Sequence, residues 1–373
     1  MINFDNAATS FPKPRAVMAA VGTYFSRYGG NPGRGGHRLS MQTAEAVYGV
    51  RDSIAGFFGA EPENVIFTQN CTHALNLAIK GVMNNSGHII ISSLEHNSVS
   101  RPVYALSQQH GGISFSIAET YPDDEKTLMS FERLIRSDTK AIVCTAASNV
   151  TGQRLPLKKL GELCKSCGIC LISDGAQACG VIPIKMSDGL NILCTSGHKS
   201  LFGVTGTGLL ITDGKFEINP LMEGGSGSTS LDLRQPDFLP DRLEAGTINT
   251  CGIISMGAGI DFILGRGMKS IHEHEQRLCE QLISGLPTSG ITVFRDKSAD
   301  YLPIVSFTVD GYTPNEAASL LSEQGFALRG GLHCSGLAHK HLGTAPEGTL
   351  RFSPSVFNTS NEVSALLCAI KKL

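Results

Sequence analysis

Three consecutive stretches decide the fold class: Ala141-Ile-Val-Cys-Thr145, the segment LKKLGELCKSC at 157–167, and Cys170-Leu-Ile-Ser173. The first and third are short apolar runs typical of buried strands, and the second has the periodicity of an amphipathic helix. A strand, a helix and a strand in this order predict two parallel strands joined by a crossover helix. The alternation recurs from residue 64 to residue 212, with a further helix predicted over 128–136. We therefore predict an α/β fold with a mostly parallel central sheet and helices on both faces.

The length of the chain predicts more than one domain. Its 373 residues exceed the roughly 250–300 residues at which single hydrophobic cores stop growing. Residues 213–241 are rich in Gly, Ser and Pro and predict a loop or an extended arm, and a second, shorter α/β pattern closes the sequence. We predict a large domain over 15–265 and a smaller α/β domain formed by 1–14 and 266–373.

Composition argues against several classes of protein. The chain has 31 Lys and Arg against 33 Asp and Glu without a basic stripe, so nucleic acid is not an expected partner. No apolar window reaches the length of a membrane span, and the first eleven residues lack the apolar stretch of a signal peptide. Eleven cysteines at irregular spacing favour reduced thiols, and hence a cytoplasmic protein. Cys164-x-x-Cys167-x-x-Cys170 has metal-like spacing but no obvious fourth ligand, so structural thiols are the favoured interpretation and no metal is predicted.

Two polar segments follow predicted strands and suggest covalent chemistry. Lys199 ends Ser196-Gly-His-Lys199 after an apolar run, where burial would lower the pKa of its amine and make it able to form an imine with an aldehyde. Asp174 follows another apolar run, and a buried carboxylate there requires a cationic partner such as a protonated ring nitrogen. The alternatives are a solvated surface lysine and an aspartate that caps a helix.

Two more segments lie at strand ends. Thr72, at the predicted start of a helix, would offer a hydroxyl and backbone N–H groups to a phosphate, although an ordinary helix cap fits equally well. His96 follows the apolar run HIIIS at 88–92 and is suited to stacking on an aromatic ring and moving protons. Because the carboxyl ends of parallel strands meet at one edge of a sheet, we expect these residues near Asp174 and Lys199.

Taken together, these motifs resemble the cysteine desulfurases and selenocysteine lyases, which are class V, fold-type-I pyridoxal 5'-phosphate (PLP) enzymes. The resemblance runs from Asp5-Asn-Ala-Ala-Thr9 to Arg351. It implies a PLP cofactor that is held by Lys199 as an imine, by Asp174 at the pyridine nitrogen and by a stacked His96. It further implies these roles: Gln177 as donor to the phenolic oxygen, Thr72, Ser196 and His198 at the phosphate, and Asn149 and Arg351 at the substrate carboxylate.

The resemblance also implies a homodimer with shared sites. Thr247, within residues 244–250, resembles the residue that reaches the phosphate bound by the second subunit. The Gly-rich stretch 31–37, which includes Arg34, is expected near the same interface.

The segment Arg329-Gly-Gly-Leu-His-Cys334-Ser-Gly336 distinguishes most sharply between functions. Its cationic and polar neighbours favour the thiolate form of Cys334. The resemblance makes Cys334 the nucleophile that takes sulfur from L-cysteine as a persulfide, leaves L-alanine, and passes the sulfur to an acceptor protein. Leu332 stands where some relatives have a second His, so the choice between L-cysteine and L-selenocysteine stays open. The alternatives are a selenocysteine lyase, another class V enzyme (an aminotransferase or a β-eliminating lyase), and a non-catalytic scaffold.

Overall fold

A computed structural model describes residues 1–33, 35–84, 86–109 and 111–373, so Arg34 of the predicted interface loop lies outside the described residues. The strands are β1 (Ile2–Asn3), β2 (Val65–Thr68), β3 (Gly87–Ser92), β4 (Ile113–Ala118), β5 (Thr139–Thr145), β6 (Cys170–Asp174), β7 (Ile192–Ser196), β8 (Gly208–Thr212), β9 (Ile291–Val293), β10 (Val305–Val309), β11 (Phe326–Ala327) and β12 (Leu350–Phe352). The helices are α1 (Arg15–Arg27), α2 (Arg38–Phe58), α3 (Cys71–Met83), α4 (Asn97–Gln109), α5 (Asp124–Glu132), α6 (Leu157–Cys167), α7 (Thr250–Arg266), α8 (Met268–Gly285), α9 (Pro314–Glu323), α10 (Gly336–His341) and α11 (Ser360–Ile370).

The central sheet has seven strands in the order β2-β8-β7-β6-β5-β3-β4. Strand β8 is antiparallel to both of its neighbours, and the other pairs are parallel. Successive residues of β3 enter different cores, because Ile90 belongs to one apolar cluster and Ile89 and Ile91 to another. A sheet buried on both faces needs apolar residues at every position, which explains the continuous runs in the sequence. The predicted fold class is confirmed.

One edge of this sheet collects the carboxyl ends of β2, β3, β5, β6 and β7, and β8 begins there. Gly208 opens β8 directly against the start of α3, where an added Cβ would lie 2.4 Å from the carbonyl carbon of Asn70. Only glycine permits this approach, and it brings the amino end of α3 to the same edge of the sheet.

A smaller unit follows the large sheet in the chain. Strands β12, β10 and β9 form an antiparallel sheet, and β1 pairs with β11 in parallel. The ring of Phe4 packs 4.7 Å from that of Phe352 and joins the first strand to this unit's core. Helices α7 and α8 meet at Gly267, which has a φ of +85°. The exact domain boundaries, near residues 14 and 265, stay a prediction.

One helix is displaced from its predicted position. Helix α5 covers Asp124–Glu132 rather than 128–136, because the side chain of Asp123 accepts a hydrogen bond from the Lys126 N–H at 2.9 Å and starts the helix earlier. Within the described ranges, no single helix combines the length and apolar composition of a membrane span. Helices α7 and α8 meet that test only as a pair, and the pair is bent by 82°.

Candidate active site

The carboxyl edge of the sheet opens into a cavity of about 230 Å³. Most of the side chains predicted to act together line this cavity: Thr72, His96, Asn149, Asp174, Gln177, Ser196, His198, Lys199 and Arg351. Arg329 and His333, the predicted cationic and polar neighbours of Cys334, also line the cavity, as do residues without a predicted role such as Ala7, Asn70, Cys71 and Thr145. Two predicted residues, Cys334 and Thr247, do not line it. Except for Arg351, which lies in β12 of the smaller sheet, the predicted residues that line the cavity lie at or follow strand ends that meet at one edge of the large sheet.

Lys199 and Asp174 form the electrostatic centre of the cavity. Burial lowers the pKa of Lys199, which favours the free amine over the ammonium form, while the charge of Asp174 acts in the opposite direction. Asp174 is 4% exposed, and its Oδ1 accepts from the backbone N–H of Ala176 at 2.9 Å and from the thiol of Cys71 at 3.4 Å. No described residue hydrogen-bonds its Oδ2. This oxygen is therefore available to a cationic partner.

Two elements face the cavity with groups suited to an anion. At the start of α3, Asn70 caps the helix by accepting from the His73 N–H at 2.9 Å, and Thr72 lies in the first turn. The Oγ of Ser196 and the Nδ1 of His198 are buried, with no hydrogen-bond partner in the described part of the chain. Burial lowers the pKa of His198 to about 4, so its ring is neutral at pH 7. Orphaned polar atoms beside a helix amino terminus fit a bound phosphate group.

His96 has a defined tautomer. Its Nδ1 lies 3.0 Å from the backbone N–H of Ser98 and 2.8 Å from the Ser98 hydroxyl. Because a backbone N–H can only donate, Nδ1 accepts, and the neutral ring carries its proton on Nε2. Burial lowers the pKa of His96, which keeps the ring neutral. His96 is therefore a hydrogen-bond donor at Nε2.

Arg351 is fixed by two partners inside the cavity. The side chain is 1% exposed, and it donates from Nη2 to Asp5 Oδ1 at 2.6 Å and from Nη1 to the Asn149 carbonyl at 3.0 Å. Its Nε is buried, and none of the described residues is its partner. The guanidinium is thus held in one plane, with an N–H group that remains for a carboxylate.

The side chain of Asn149 makes two contacts with the Cys334 loop in addition to lining the cavity. Its Nδ2 donates to the His333 carbonyl at 2.8 Å, and its Oδ1 accepts from the Ser335 hydroxyl at 2.6 Å. The amide of Gln177 similarly donates to the Ala7 carbonyl at 3.1 Å. Each amide retains one further N–H for a ligand. The structure therefore gives Asn149 a second task, which is to hold the residues on either side of Cys334.

Cys334 does not line the cavity, but it adjoins His333 in the chain and contacts Arg329, both of which do. Its side chain is exposed, and Nη2 of Arg329 lies 3.5 Å from its Sγ. The Cys334 carbonyl accepts from the Asn97 N–H at 2.8 Å, at the start of α4. His333 and Cys334 have φ values of +48° and +59°, a left-handed conformation that is unfavourable for side chains larger than glycine. The bonds to Asn149 and Asn97 hold the loop in this conformation.

Thr247 lies outside the cavity. It is exposed, and the Nδ2 of Asn31 lies 3.4 Å from its hydroxyl. The segment is anchored by Glu244, which accepts two hydrogen bonds from Arg51, each at 2.9 Å. An exposed Thr247 on a fixed segment is compatible with a role in another subunit's site.

Sequence reasoning gave no separate role to Asp5, Cys71 and His333. Asp5 belongs to the quoted Asp5-Asn-Ala-Ala-Thr9 motif, yet nothing local indicates that it meets Arg351, 346 residues away. Cys71 and His333 each adjoin a residue that was predicted to act, Thr72 and Cys334 respectively. That adjacency is the one signal that the sequence offered.

Comparison with known proteins agrees with this geometry. The profile of the aminotransferase class-V family matches residues 2–366. A probable cysteine desulfurase of Methanothermobacter thermautotrophicus is 30% identical over 97% of this chain and 92% of its own length. One from Vibrio cholerae is 30% identical over 100% of this chain and 93% of its own length.

Solved structures give the same result. The apo structure of a cysteine desulfurase from Thermococcus onnurineus superposes with a TM-score of 0.91 at 30% identity, covering 100% of this chain and 94% of its own. A cysteine desulfurase from Escherichia coli gives a TM-score of 0.87 at 25% identity, covering 99% and 94% of the two chains. The chain belongs to the class-V aminotransferase family, whose members are PLP enzymes.

Proposed function

We propose that this chain is a PLP-dependent cysteine desulfurase that converts L-cysteine to L-alanine and keeps the sulfur on Cys334 as a persulfide. The observation that carries the proposal is the position of the Cys334 loop. Arg329 lines the cavity that contains Lys199 and Asp174, and the same side chain contacts the sulfur of Cys334. A transaminase has no need of a thiol at this position.

Different residues of the cavity would bind different parts of the cofactor. Asp174 Oδ2 would pair with the pyridine nitrogen, and Lys199 would bind the aldehyde carbon. The phosphate would lie between the start of α3, with Thr72, and the unpartnered Ser196 Oγ and His198 Nδ1. His96 would stack on the ring, and Gln177 would donate its remaining N–H to the phenolic oxygen. When bound, PLP withdraws electrons from the substrate's Cα.

The chain's own groups bind the substrate and move its protons. Arg351 would bind the substrate carboxylate, while the Asp5 pair keeps the guanidinium oriented. Asn149 would add its remaining N–H. Lys199, whose pKa burial lowers, is suited to take the Cα proton as a free amine. His96 presents a donor at Nε2, so we assign it to proton donation rather than to proton removal.

Sulfur transfer then requires one nucleophile. The Cys334 thiolate attacks the substrate sulfur and forms an S–S bond while the Cβ–S bond breaks, and the electron pair of that bond moves towards Cβ. Protonation of Cβ gives alanine, and the net change is L-cysteine plus thiol to L-alanine plus persulfide. The reacting atoms must meet at roughly 3–3.5 Å, which a loop with fixed anchors favours.

The assembly is part of the proposal. We propose a homodimer in which Thr247 of one subunit reaches the phosphate bound by the other, because the residue is exposed on an anchored segment. An acceptor protein would collect sulfur from Cys334, whose side chain is exposed. L-selenocysteine is a second substrate that the same residues would accommodate.

Mass spectrometry after brief exposure to L-cysteine, with no added reductant, tests the proposal. We expect a mass gain of one sulfur on the peptide that contains Cys334, and its absence in Cys334→Ala, which should still bind PLP. Sulfur on Cys164, Cys167 or Cys170 instead, or alanine release by Cys334→Ala at the native rate, would refute the mechanism. The chain would then be better described as a simple lyase or transaminase.

A further inference from the structure

His333 is a buried histidine in the cavity to which the mechanism above gives no task. It is 2% exposed and lines the cavity. Its Nε2 lies 3.0 Å from the carbonyl oxygen of Thr349 and 3.2 Å from the hydroxyl of the same residue. A carbonyl oxygen only accepts, so Nε2 carries the ring proton and Nδ1 bears a lone pair.

That lone pair lacks a donor. Nδ1 is buried and has no hydrogen-bond partner among the residues that the structure describes. Burial, reinforced by the charge of Arg351, lowers the pKa of His333 to about 2. The ring therefore stays neutral, and its Nδ1 is an acceptor at every pH at which the protein would work. Buried acceptors without a partner are uncommon, and one that belongs to a cavity-lining side chain is a candidate contact for a ligand.

The chemistry of the proposed substrate narrows the choice of donor. Its carboxylate has no proton at neutral pH, and its amine is committed to the cofactor. The thiol is the remaining group with a hydrogen to give. Cys334, although adjacent in sequence, is an unsuitable donor because its side chain is exposed and its sulfur contacts Arg329.

We infer that Nδ1 of His333 accepts a hydrogen bond from the thiol of the substrate cysteine and so recognises the group that is to be removed. The inference rests on the proposed function and adds a specificity-determining residue to it. Selenols are more acidic than thiols and are anionic at neutral pH. A selenolate has no hydrogen to donate, and its lone pairs would repel the lone pair on Nδ1. His333 therefore favours L-cysteine over L-selenocysteine.

Two substitutions of His333 separate the acceptor role of Nδ1 from the hydrogen bond that Nε2 donates to Thr349. In His333→Gln, the amide nitrogen can replace Nε2 as donor to Thr349, but nothing replaces Nδ1. In His333→Asn, the amide oxygen takes the position of Nδ1, and the donor to Thr349 is lost. Asparagine also tolerates the left-handed backbone at this position. His339→Gln is the matched control, because His339 is buried nearby, with its ring 5.5 Å from that of His333, and also has one unpartnered nitrogen, but it does not line the cavity.

The assay is absorbance titration of the PLP-loaded Cys334→Ala protein, which cannot complete sulfur transfer, with L-cysteine and with L-alanine. We expect His333→Gln to weaken L-cysteine binding about fivefold to tenfold, the effect of one lost hydrogen bond, and to leave L-alanine within twofold. His333→Asn should retain the preference for L-cysteine over L-alanine, as should His339→Gln. With Cys334 restored, His333→Gln should raise the ratio of kcat/KM for L-selenocysteine to that for L-cysteine.

The outcomes distinguish two failures. A parent protein that loads no PLP, or that responds to neither amino acid, contradicts the proposed function itself. A parent that binds both amino acids, with His333→Gln weakening both equally or neither, overturns the role of His333 alone. If His333→Gln does not load PLP, His333→Asn provides the test. If His333→Asn no longer prefers L-cysteine over L-alanine, the inference is also overturned.

Discussion

The two halves of the candidate site are held by different forces. The half that would bind the cofactor is built on strand ends, so Asp174 and Lys199 are placed by the backbone hydrogen bonds between β6 and β7. The half that carries Cys334 is a loop in a left-handed conformation, held by the amide of Asn149 and the N–H of Asn97. The residues that would bind the cofactor are thus fixed by the fold itself, whereas the nucleophile is fixed by a few individual hydrogen bonds.

The largest expected effect tests the strand-end half. Lys199→Ala should abolish turnover and remove the borohydride-reducible PLP adduct, because no other amine lines the cavity among the described residues. The check is reduction followed by peptide mapping. Lys13 is the matched control: its Nζ lies 2.8 Å from the His198 carbonyl, and burial lowers its pKa to about 8. An adduct that survives in Lys199→Ala and disappears in Lys13→Ala would reassign the lysine.

A smaller effect, on substrate binding, is expected from Arg351, which contacts Asn149 and lines the same cavity as Lys199. Arg351→Lys should raise KM for L-cysteine roughly 100-fold, since an ammonium cannot reproduce the planar fork that bonds Asp5 and the substrate together. Steady-state kinetics measure it. Arg154→Lys, which alters an exposed ion pair with Asp300 outside the cavity, is the control. Unchanged KM in Arg351→Lys would place the substrate carboxylate elsewhere.

A still smaller effect on the rate is expected from a substitution in the loop that carries Cys334. Ser335→Ala removes the hydroxyl that donates to Asn149 at 2.6 Å, so the Cys334 loop loses one of its anchors. We expect persulfide formation to slow about tenfold in rapid-quench experiments, while PLP affinity is unchanged, from the loss of about one hydrogen bond. Ser364→Ala, in α11 and bonded to Gln281, serves as control. A parallel loss of PLP affinity would show that the two halves are not separately held.

The last prediction concerns stability rather than turnover, and it tests Glu95, a buried residue that precedes His96. Burial raises the pKa of Glu95 to about 8 from its usual 4.5, although the Thr145 N–H donates to it at 2.8 Å. A carboxyl with a raised folded-state pKa contributes stability that is complete below pH 4.5 and is lost as pH rises towards 8. Glu95→Gln should therefore flatten the pH dependence of unfolding free energy between pH 5 and 8, by roughly 2–5 kcal/mol.

Denaturant unfolding at several pH values measures this difference, with the exposed Glu63→Gln as control. Parallel curves for wild type and Glu95→Gln would mean that Glu95 is ionised in the folded protein. The prediction would then be wrong.

The strand-end half was largely predictable from sequence. Apolar runs located β5, β6 and β7, and the rule that parallel strands end at one edge was enough to bring Asp174 and Lys199 together. Predicted and observed limits agree at α6, residues 157–167, where helix periodicity and flanking signals coincide. The displaced start of α5 shows that the Asp123 cap outweighs the apolar pattern at that point.

The loop half was predictable in its residues but not in its contacts. The sequence indicated Cys334 and its cationic neighbour, because both lie in one short segment. It did not indicate that Asn149 would hold the loop or that Asp5 would pair with Arg351, since each contact joins residues far apart in the chain. Long-range side-chain pairing depends on how the smaller unit docks, and no local periodicity encodes that arrangement.

The hydrogen bond from Asn97 N–H to the Cys334 carbonyl links both His96 and Cys334 to the start of α4. His96 immediately precedes α4, and the Cys334 backbone is fastened to the helix's first residue at 2.8 Å. A rigid shift of α4 therefore carries the ring that would cover the cofactor and the thiol that would receive sulfur by the same displacement. The distance between the His96 ring and the Cys334 thiol should therefore change little when α4 shifts as a unit.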